Sequence, residues 1–518
     1  MSACRRARQR GGGRFGSLAT ACLLAFVAAC SSDAPTGVEV PPPVVPVTVP
    51  SITREFRGLW VATVANIDWP SQSGLSVSAQ QTELLVILNL ARTAGLNAVV
   101  LQIRAAGDAL YPSTLEPWAR SLTGTQGADP TWDPLAFAIN EAHARGLELH
   151  AWFNPFRAGS LSDTARLAPL HFARRRPELA RAYCTQLWFD PGEQAVQDHA
   201  MAVVRDVLSR YDVDAVHLDD FFYPYPDSRC PNLDFPDSAA FGRYQRDGGP
   251  LARADWRRDN VNRFVERLYT DVHAQRSHVR VGISPFGIWR PGNPAGIVGL
   301  DAYGSIYADS RRWLQQGWVD YFAPQLYWSI ASSGQSFPAL LDWWTQQNSR
   351  QRHLWPGLAA YRVADGSSSA YNASEIPAQI QRSRQRTGSI GTLLYNTTSL
   401  RENRGGLATT LATVTNVTPA LPPATTWLDG AAPAPPVITV GRVAAAWRLD
   451  VTDGGGEPLA WWLIRWRQGA TWFQRVVPAS ARAHEVPATD VNGTTTAIVV
   501  NAIDRVGNAS TDVIWRAP

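Results

Sequence analysis

The chain has 518 residues, enough for roughly two to four domains of ordinary size or one large domain with a small companion. A composition that is 45% hydrophobic and 18% charged supplies a buried core and excludes a chain that is disordered throughout. All 48 basic residues are arginine, which excludes a Walker-type phosphate loop, a Schiff-base lysine and a pyridoxal-phosphate enzyme, since each needs a lysine amine. The formal charge is +4, but Arg5, Arg6, Arg8, Arg10 and Arg14 fall in the first 29 residues with no acid among them. The remaining 43 arginines face 44 acids, so no nucleic-acid partner is expected. The 21 tryptophans suit either a Trp-rich core or a surface that grips sugar rings.

In chain order, an Arg-rich start leads into the apolar run 18–27, too short to cross a bilayer as a helix, and residues 1–29 read as an export signal. Val27-Ala28-Ala29-Cys30 resembles a bacterial lipobox, with Cys30 the lipidated first residue and the membrane a partner through that anchor; an ordinary cleaved signal is the alternative. Ser31-Ser32 follows in place of an aspartate, which favours an outer-membrane lipoprotein facing the periplasm. Residues 30–53, with Pro41-Pro42-Pro43, read as an extended tether. Cys184 and Cys230 lie in loop-like segments and either pair or remain thiols.

From residue 54 to 417 short apolar runs alternate with helix-like stretches. The runs are 59–64, 98–103, 147–153, 215–218, 279–284, 321–327, 354–358 and 391–395; the helices are expected at 79–94, 134–145, 193–210, 255–276, 309–316, 337–347 and 374–386. Gly95 and Gly146 stand just past two helix ends. The pattern predicts an α/β fold, a (β/α)8 TIM barrel; a doubly wound sheet is second, and no G-x-G-x-x-G supports it. A Pro/Ala/Thr-rich linker over 418–436 separates this body from an all-β tail, 437–518, with alternating strands and Gly-rich turns. The segment 501–510 is similar to the last strand and turn of fibronectin type III modules, so the tail is expected to be a small sandwich of that kind.

Strand parity picks the candidate chemistry, because alternate residues of a barrel strand face inward and catalytic groups sit at strand C-termini. In Val216-His217-Leu218-Asp219-Asp220, His217 and Asp219 face inward and Asp220 opens the loop. Two adjacent acids there are costly unless they function or cap a turn. Gln102 and Arg104 face inward on the second strand, followed by Asp108 and by Glu116 between Leu115 and Pro117-Trp118. An apolar setting would raise the Glu116 carboxyl into the range of a general acid; the alternative is a loop acid paired with Arg120 or another arginine. His150, Trp152 and Asn154 share inward parity, Arg157 follows, and Gln325, Tyr327 and Trp328 end the sixth strand. Carboxylates, amides, arginines and aromatics at one mouth suit glycoside hydrolysis. His150, His217 and Asp219 could instead ligate a metal, as in a deacetylase-like polysaccharide hydrolase, and a barrel used only for glycan binding is the non-enzymatic alternative.

Residues 54–71, Gln102-Ile103-Arg104 with 107–113, Trp152-Phe153-Asn154-Pro155-Phe156-Arg157 and 217–226 together resemble the bacterial glycosyl-hydrolase-like 10 family over about 54–400. The resemblance implies a cell-envelope glycosidase that cleaves the glycan strands of peptidoglycan, with or without prior removal of the peptides. It makes Glu116 the leading catalytic acid, with Asp219 and Asp220 as partners. Asp219 is expected to be nucleophile or stabiliser, with Asp220 or His217 orienting it. Arg104, Asp108, Asn154, Arg157, Gln325 and Tyr327 would hold hydroxyls, while Trp152, Tyr223 and Trp328 would stack on sugar faces. No metal and no cofactor is expected.

Overall fold

A computed structural model describes residues 47–518; the expected export signal, Cys30 and most of the expected tether lie outside the described residues. Nine parallel strands form one sheet: β1 (Phe56–Val61), β2 (Ala98–Arg104), β3 (Glu148–Phe153), β4 (Ala215–Leu218), β5 (Arg280–Ile283), β6 (Tyr321–Phe322), β7 (His353–Leu354), β8 (Gly357–Ala359) and β9 (Gly391–Tyr395). Their order is β7-β6-β5-β4-β3-β2-β1-β9-β8. The two ends of that order, β7 and β8, are pieces of one segment interrupted by Trp355-Pro356, so the sheet curls round on itself as a TIM-barrel-like wall. Proline cannot donate to the ladder, which explains the interruption.

Helices α1 (Val77–Thr93), α2 (Pro134–Ala144), α3 (Gln194–Arg210), α4 (Arg253–Gln275), α5 (Ser310–Gln316), α6 (Phe337–Gln347) and α7 (Glu375–Arg384) cover the outside. Their starts follow from local chemistry. The Ser76 hydroxyl accepts from the Ala79 amide at α1, and the Asp133 carboxylate accepts from the Ala136 amide at α2, with Pro134 in the first turn. Gly95 ends α1 at φ 71°, and a side chain there would collide with Asn416.

Side-chain parity divides the core. Val216 and Leu218 join the layer between sheet and helices, with Val203, Val204 and Val265. The alternate residues Phe56, Trp60, Val100, Trp152, Tyr321 and Trp355 fill the interior. Two strands differ from the expected runs. The first begins at Phe56 and stops at Val61, because the Ala62 amide turns to the Asp68 carboxylate at 2.8 Å. The sixth pairs regularly only over Tyr321–Phe322; past Pro324 it continues as single bridges from Gln325 to Phe286 and to Gly357.

A three-stranded antiparallel excursion follows β3: Arg157–Ser160, Ala180–Tyr183 and Gln186–Phe189. Cys184 at its tip is disulfide-bonded to Cys230 in the loop after β4, with Cα atoms 5.8 Å apart. The C-terminal region is all-β, a three-stranded and a five-stranded antiparallel assembly around Leu449, Trp462, Ile464, Val486, Ile498 and Val500. It packs against the end of the sheet where strands begin. Arg505 bridges Asp212 at 2.6 Å, the Trp461 ring meets His143 edge-on at 5.3 Å, and Arg465 donates to the Pro50 carbonyl at 2.6 Å. The Pro-rich stretch 418–436 runs along this junction: Leu421 is buried and Trp427 donates to Asp320 at 2.8 Å. Among the described residues no helix is long and apolar enough to cross a membrane.

Candidate active site

β4 delivers two neighbouring carboxyls, Asp219 and Asp220, to the C-terminal mouth of the sheet, both about 95% buried. They line a cavity of about 360 Å³ with Trp60, Trp152, Tyr225, Phe286 and Tyr327 among its walls. A relay of amides across three strands fixes Asp219. The Thr63 and Val64 amides donate to Gln102 Oε1 at 2.9 Å each, Gln102 Nε2 donates to Asn154 Oδ1 at 2.6 Å, and Asn154 Nδ2 donates to Asp219 Oδ2 at 2.6 Å. Each amide has its oxygen and nitrogen assigned by its neighbours, so the chain has a single direction. The Trp152 indole adds a donation to the same oxygen at 3.2 Å, and the Phe221 amide donates to Oδ1 at 3.1 Å.

Asp220 is held differently. The Tyr225 hydroxyl donates to it, and Gln325 lies beside it. Burial, followed by the charge of Asp219, pushes the Asp220 carboxyl up to about 7, against the opposing pull of Tyr225 and Gln325. Burial also raises Asp219, but four favourable influences oppose it: the Asn154 bond, the Phe221 amide, the Arg157 charge and the Trp152 bond. Asp219 therefore ionises first, and Asp220 keeps its proton to near neutral pH. One ionised and one protonated carboxyl side by side provide a proton donor and an anionic group in an aromatic cavity.

Below the pair the interior is closed by a chain of neutral rings. Trp60 Nε1 donates to His217 Nε2 at 3.1 Å, which leaves His217 Nδ1 as the donor to the Tyr321 hydroxyl at 2.9 Å. Tyr321 then donates to His150 Nδ1 at 2.9 Å, and His150 Nε2 donates to Glu148 at 3.1 Å. Burial lowers both histidines, so both are neutral. The expected substrate contact of His217 is thus corrected: it is wholly buried with both nitrogens used. The alternative metal set of His150, His217 and Asp219 has its imidazole nitrogens engaged by protein partners. Among the described residues the only clustered trio with metal-binding spacing is Asp429, Glu457 and Asp504, far along the chain in the C-terminal part.

The largest correction concerns Glu116. It is buried, but Arg104 grips it with Nε at 2.8 Å from one oxygen and Nη2 on the other, and His199 meets it at 2.8 Å. Burial alone would raise this carboxyl; the Arg104 charge and the His199 and Arg104 bonds outweigh it and hold it down at about 2. So held, Glu116 favours its ionised form at neutral pH, which opposes the expected role of proton donor, and it does not line the cavity of Asp219 and Asp220. Arg104 is likewise engaged, by Glu116 and by the Asn154 carbonyl, and is buried away from the position of a sugar hydroxyl. Asn154 positions Asp219 and is itself wholly buried.

Of the expected stacking residues, Trp152 lines the cavity, whereas Tyr223 faces a separate cavity beside Arg257 and Tyr307. Trp328 packs edge-on against Phe286 at 5.6 Å and does not line the cavity. Gln325 and Tyr327 line the cavity; Tyr327 stacks on Tyr395 at 5.9 Å. Asp108 and Arg157 line an adjoining cavity of about 430 Å³. Sequence reading missed Trp60, Phe221, Tyr225, Phe286 and Tyr395. Inward parity marks Trp60 and Tyr395, but nothing local marks Tyr225, whose hydroxyl reaches back five residues.

A family model described as glycosyl hydrolase-like 10 matches residues 55–373. The chain belongs to this family. Glycosyl hydrolase YngK of Bacillus subtilis is 41% identical over 394 residues, covering 74% of this chain and 76% of that protein. Glycosyl hydrolase DigH of Escherichia coli K12 is 34% identical over 369 residues, covering 67% and 82%. Among solved structures, the glycoside hydrolase domain of PgaB from Bordetella bronchiseptica aligns with a TM-score of 0.49 at 15% identity, covering 70% of this chain and 99% of that one.

Proposed function

We propose that this protein is a glycoside hydrolase acting on the glycan strands of bacterial cell-wall peptidoglycan. The observation that carries the reading is the Asp219–Asp220 pair: two buried neighbouring carboxyls in an aromatic cavity, one of them titrating near 7. In this reading Asp220 protonates the leaving oxygen, and Asp219 stabilises the positive charge that develops on the sugar, or attacks it. Trp152, Trp60 and Tyr327 supply apolar faces for the sugar ring, and Gln325 a hydroxyl partner. Asn154 and Gln102 hold Asp219 in register without touching substrate. The family assignment supports glycan hydrolysis, and the cell-wall substrate rests on the resemblance of the sequence motifs.

The C-terminal region is read as a fibronectin type III-like module that braces the end of the sheet opposite the cavity. Export and lipidation at Cys30 are part of the same proposal and rest on the sequence alone: a lipoprotein of the outer membrane, facing the periplasm, would meet this polymer.

The test is incubation of the purified full-length protein with intact peptidoglycan and with strands stripped of peptides, followed by mass spectrometry. New reducing ends from the wild type, lost in Asp220→Asn and Asp219→Asn, are the expected result. Intact material recovered from folded wild-type protein on both substrates would sink the reading in favour of glycan binding without cleavage.

A further inference from the structure

We infer that Arg157 reads a carboxylate on the sugar that neighbours the scissile bond, so that the enzyme selects an acidic glycan. The inference rests on the glycosidase reading of the Asp219–Asp220 cavity.

Arg157 opens the excursion after β3, and its guanidinium lies over the Phe221 ring, 4.4 Å from the centroid. Phe221 lines the cavity of the aspartate pair, and Arg157 lines the adjoining cavity of about 430 Å³. The stacked pair therefore forms the step between the two spaces. A polymer with one sugar at Asp220 would cross this step with its next.

Among the described residues, Arg157 has no carboxylate within ion-pair distance and makes no side-chain hydrogen bond. The other charges in the adjoining cavity are already engaged. Asp163 bridges Arg120 at 3.2 Å and Arg166 at 2.5 Å. Asp108 accepts from Gln126 at 3.2 Å and from the Ala106 amide at 3.2 Å, and burial raises its carboxyl, which favours its neutral form. Arg157 is thus the cation left without a partner. Stacking fixes the plane of its fork at little further entropy cost, which suits bidentate capture of a planar carboxylate.

Arg157 also helps hold Asp219 ionised, and the test separates that contribution from recognition. The probes are peptide-free peptidoglycan strands, whose lactyl carboxylates are free, and the same strands with those carboxylates converted to methylamides. The wild type should cleave the acidic strands about 10- to 100-fold faster in kcat/KM, the range for one charge-assisted contact. Arg157→Gln should bring the ratio of the two rates close to one, and Arg157→Lys should keep part of it. Equal rates on both strands with the wild type would overturn the inference. So would an Arg157→Gln protein that slows on both strands by the same factor, since the arginine would then act only through Asp219. If folded wild-type protein cleaves neither strand, the glycosidase reading fails. Equilibrium binding of the two strands to wild-type and Arg157→Gln protein then decides the carboxylate contact by itself: a wild-type preference for the acidic strand that Arg157→Gln loses supports it, and equal affinities overturn it.

Discussion

The loop after β2 and the loop after β4 each bury a carboxyl group, and the two end in opposite states. Glu116 meets the Arg104 fork and His199 and is held at about 2. Asp220 meets another carboxylate, a phenol and an amide, and stands at about 7. Burial pushes both upward; what differs is whether a cation is present to reverse it. Depth of burial alone therefore does not identify a catalytic acid. The charge of the nearest partner does.

Asp220→Asn is the sharpest test of that difference. It should lower the cleavage rate by about 10²–10⁴-fold while leaving the protein folded, as loss of a proton donor does; steady-state kinetics beside a thermal melt separates the two. Glu116→Gln should act the other way round. It leaves Arg104 buried without its counter-charge and should cost about 3–5 kcal/mol of stability, read by denaturant titration. A paired replacement, Arg104→Met with Glu116→Leu, should recover most of that loss. If it recovered stability and yet abolished cleavage, Glu116 would return to the reaction.

Tyr225→Phe removes the hydroxyl that holds Asp220 down. The alkaline limb of the rate profile should move upward from about pH 7, with about 1.5–3 kcal/mol at stake for a hydrogen bond to a charged group. An unmoved limb would mean that Asp220 is not the titrating acid.

The pH dependence of stability carries the smallest and most diagnostic signal. Asp220 has a raised folded value, so its contribution is fully present below its unfolded value and is lost as pH rises through about 7. Glu116 has a depressed folded value, so its contribution is present above the unfolded value and is lost as pH falls towards about 2. In Asp220→Asn protein the slope near neutral pH should flatten, and in Glu116→Gln the slope at acid pH should flatten instead.

Strand parity placed His217 and Asp219 on one side of β4 and Val216 and Leu218 on the other, and that division is the one seen in the interior and outer clusters. It works because a strand has a strict two-residue period, whatever its neighbours do. Parity says which way a side chain faces, not what it meets there. Arg104, Asn154 and His217 face inward as read, yet each is spent on protein partners. For Glu116 the neighbours Leu115, Pro117 and Trp118 leave two readings open, a raised carboxyl or an arginine-paired one, and the resemblance to the family favours the first. Its decisive partners are Arg104, 12 positions earlier, and His199, 83 positions later.

The sequence by itself determined the alternation of strands and helices, the glycine and capping residues at helix ends, the all-β texture of the tail and the family. These depend on period and local backbone chemistry. Tertiary structure alone decided which acid keeps its proton, that Cys184 meets Cys230, that the Pro-rich stretch packs at the junction with the C-terminal region, and that Arg157 stacks on Phe221 with no ion-pair partner among the described residues. These are matters of electrostatics and contact between residues far apart in the chain, where a distance of a few ångströms sets the energy and sequence spacing does not report it.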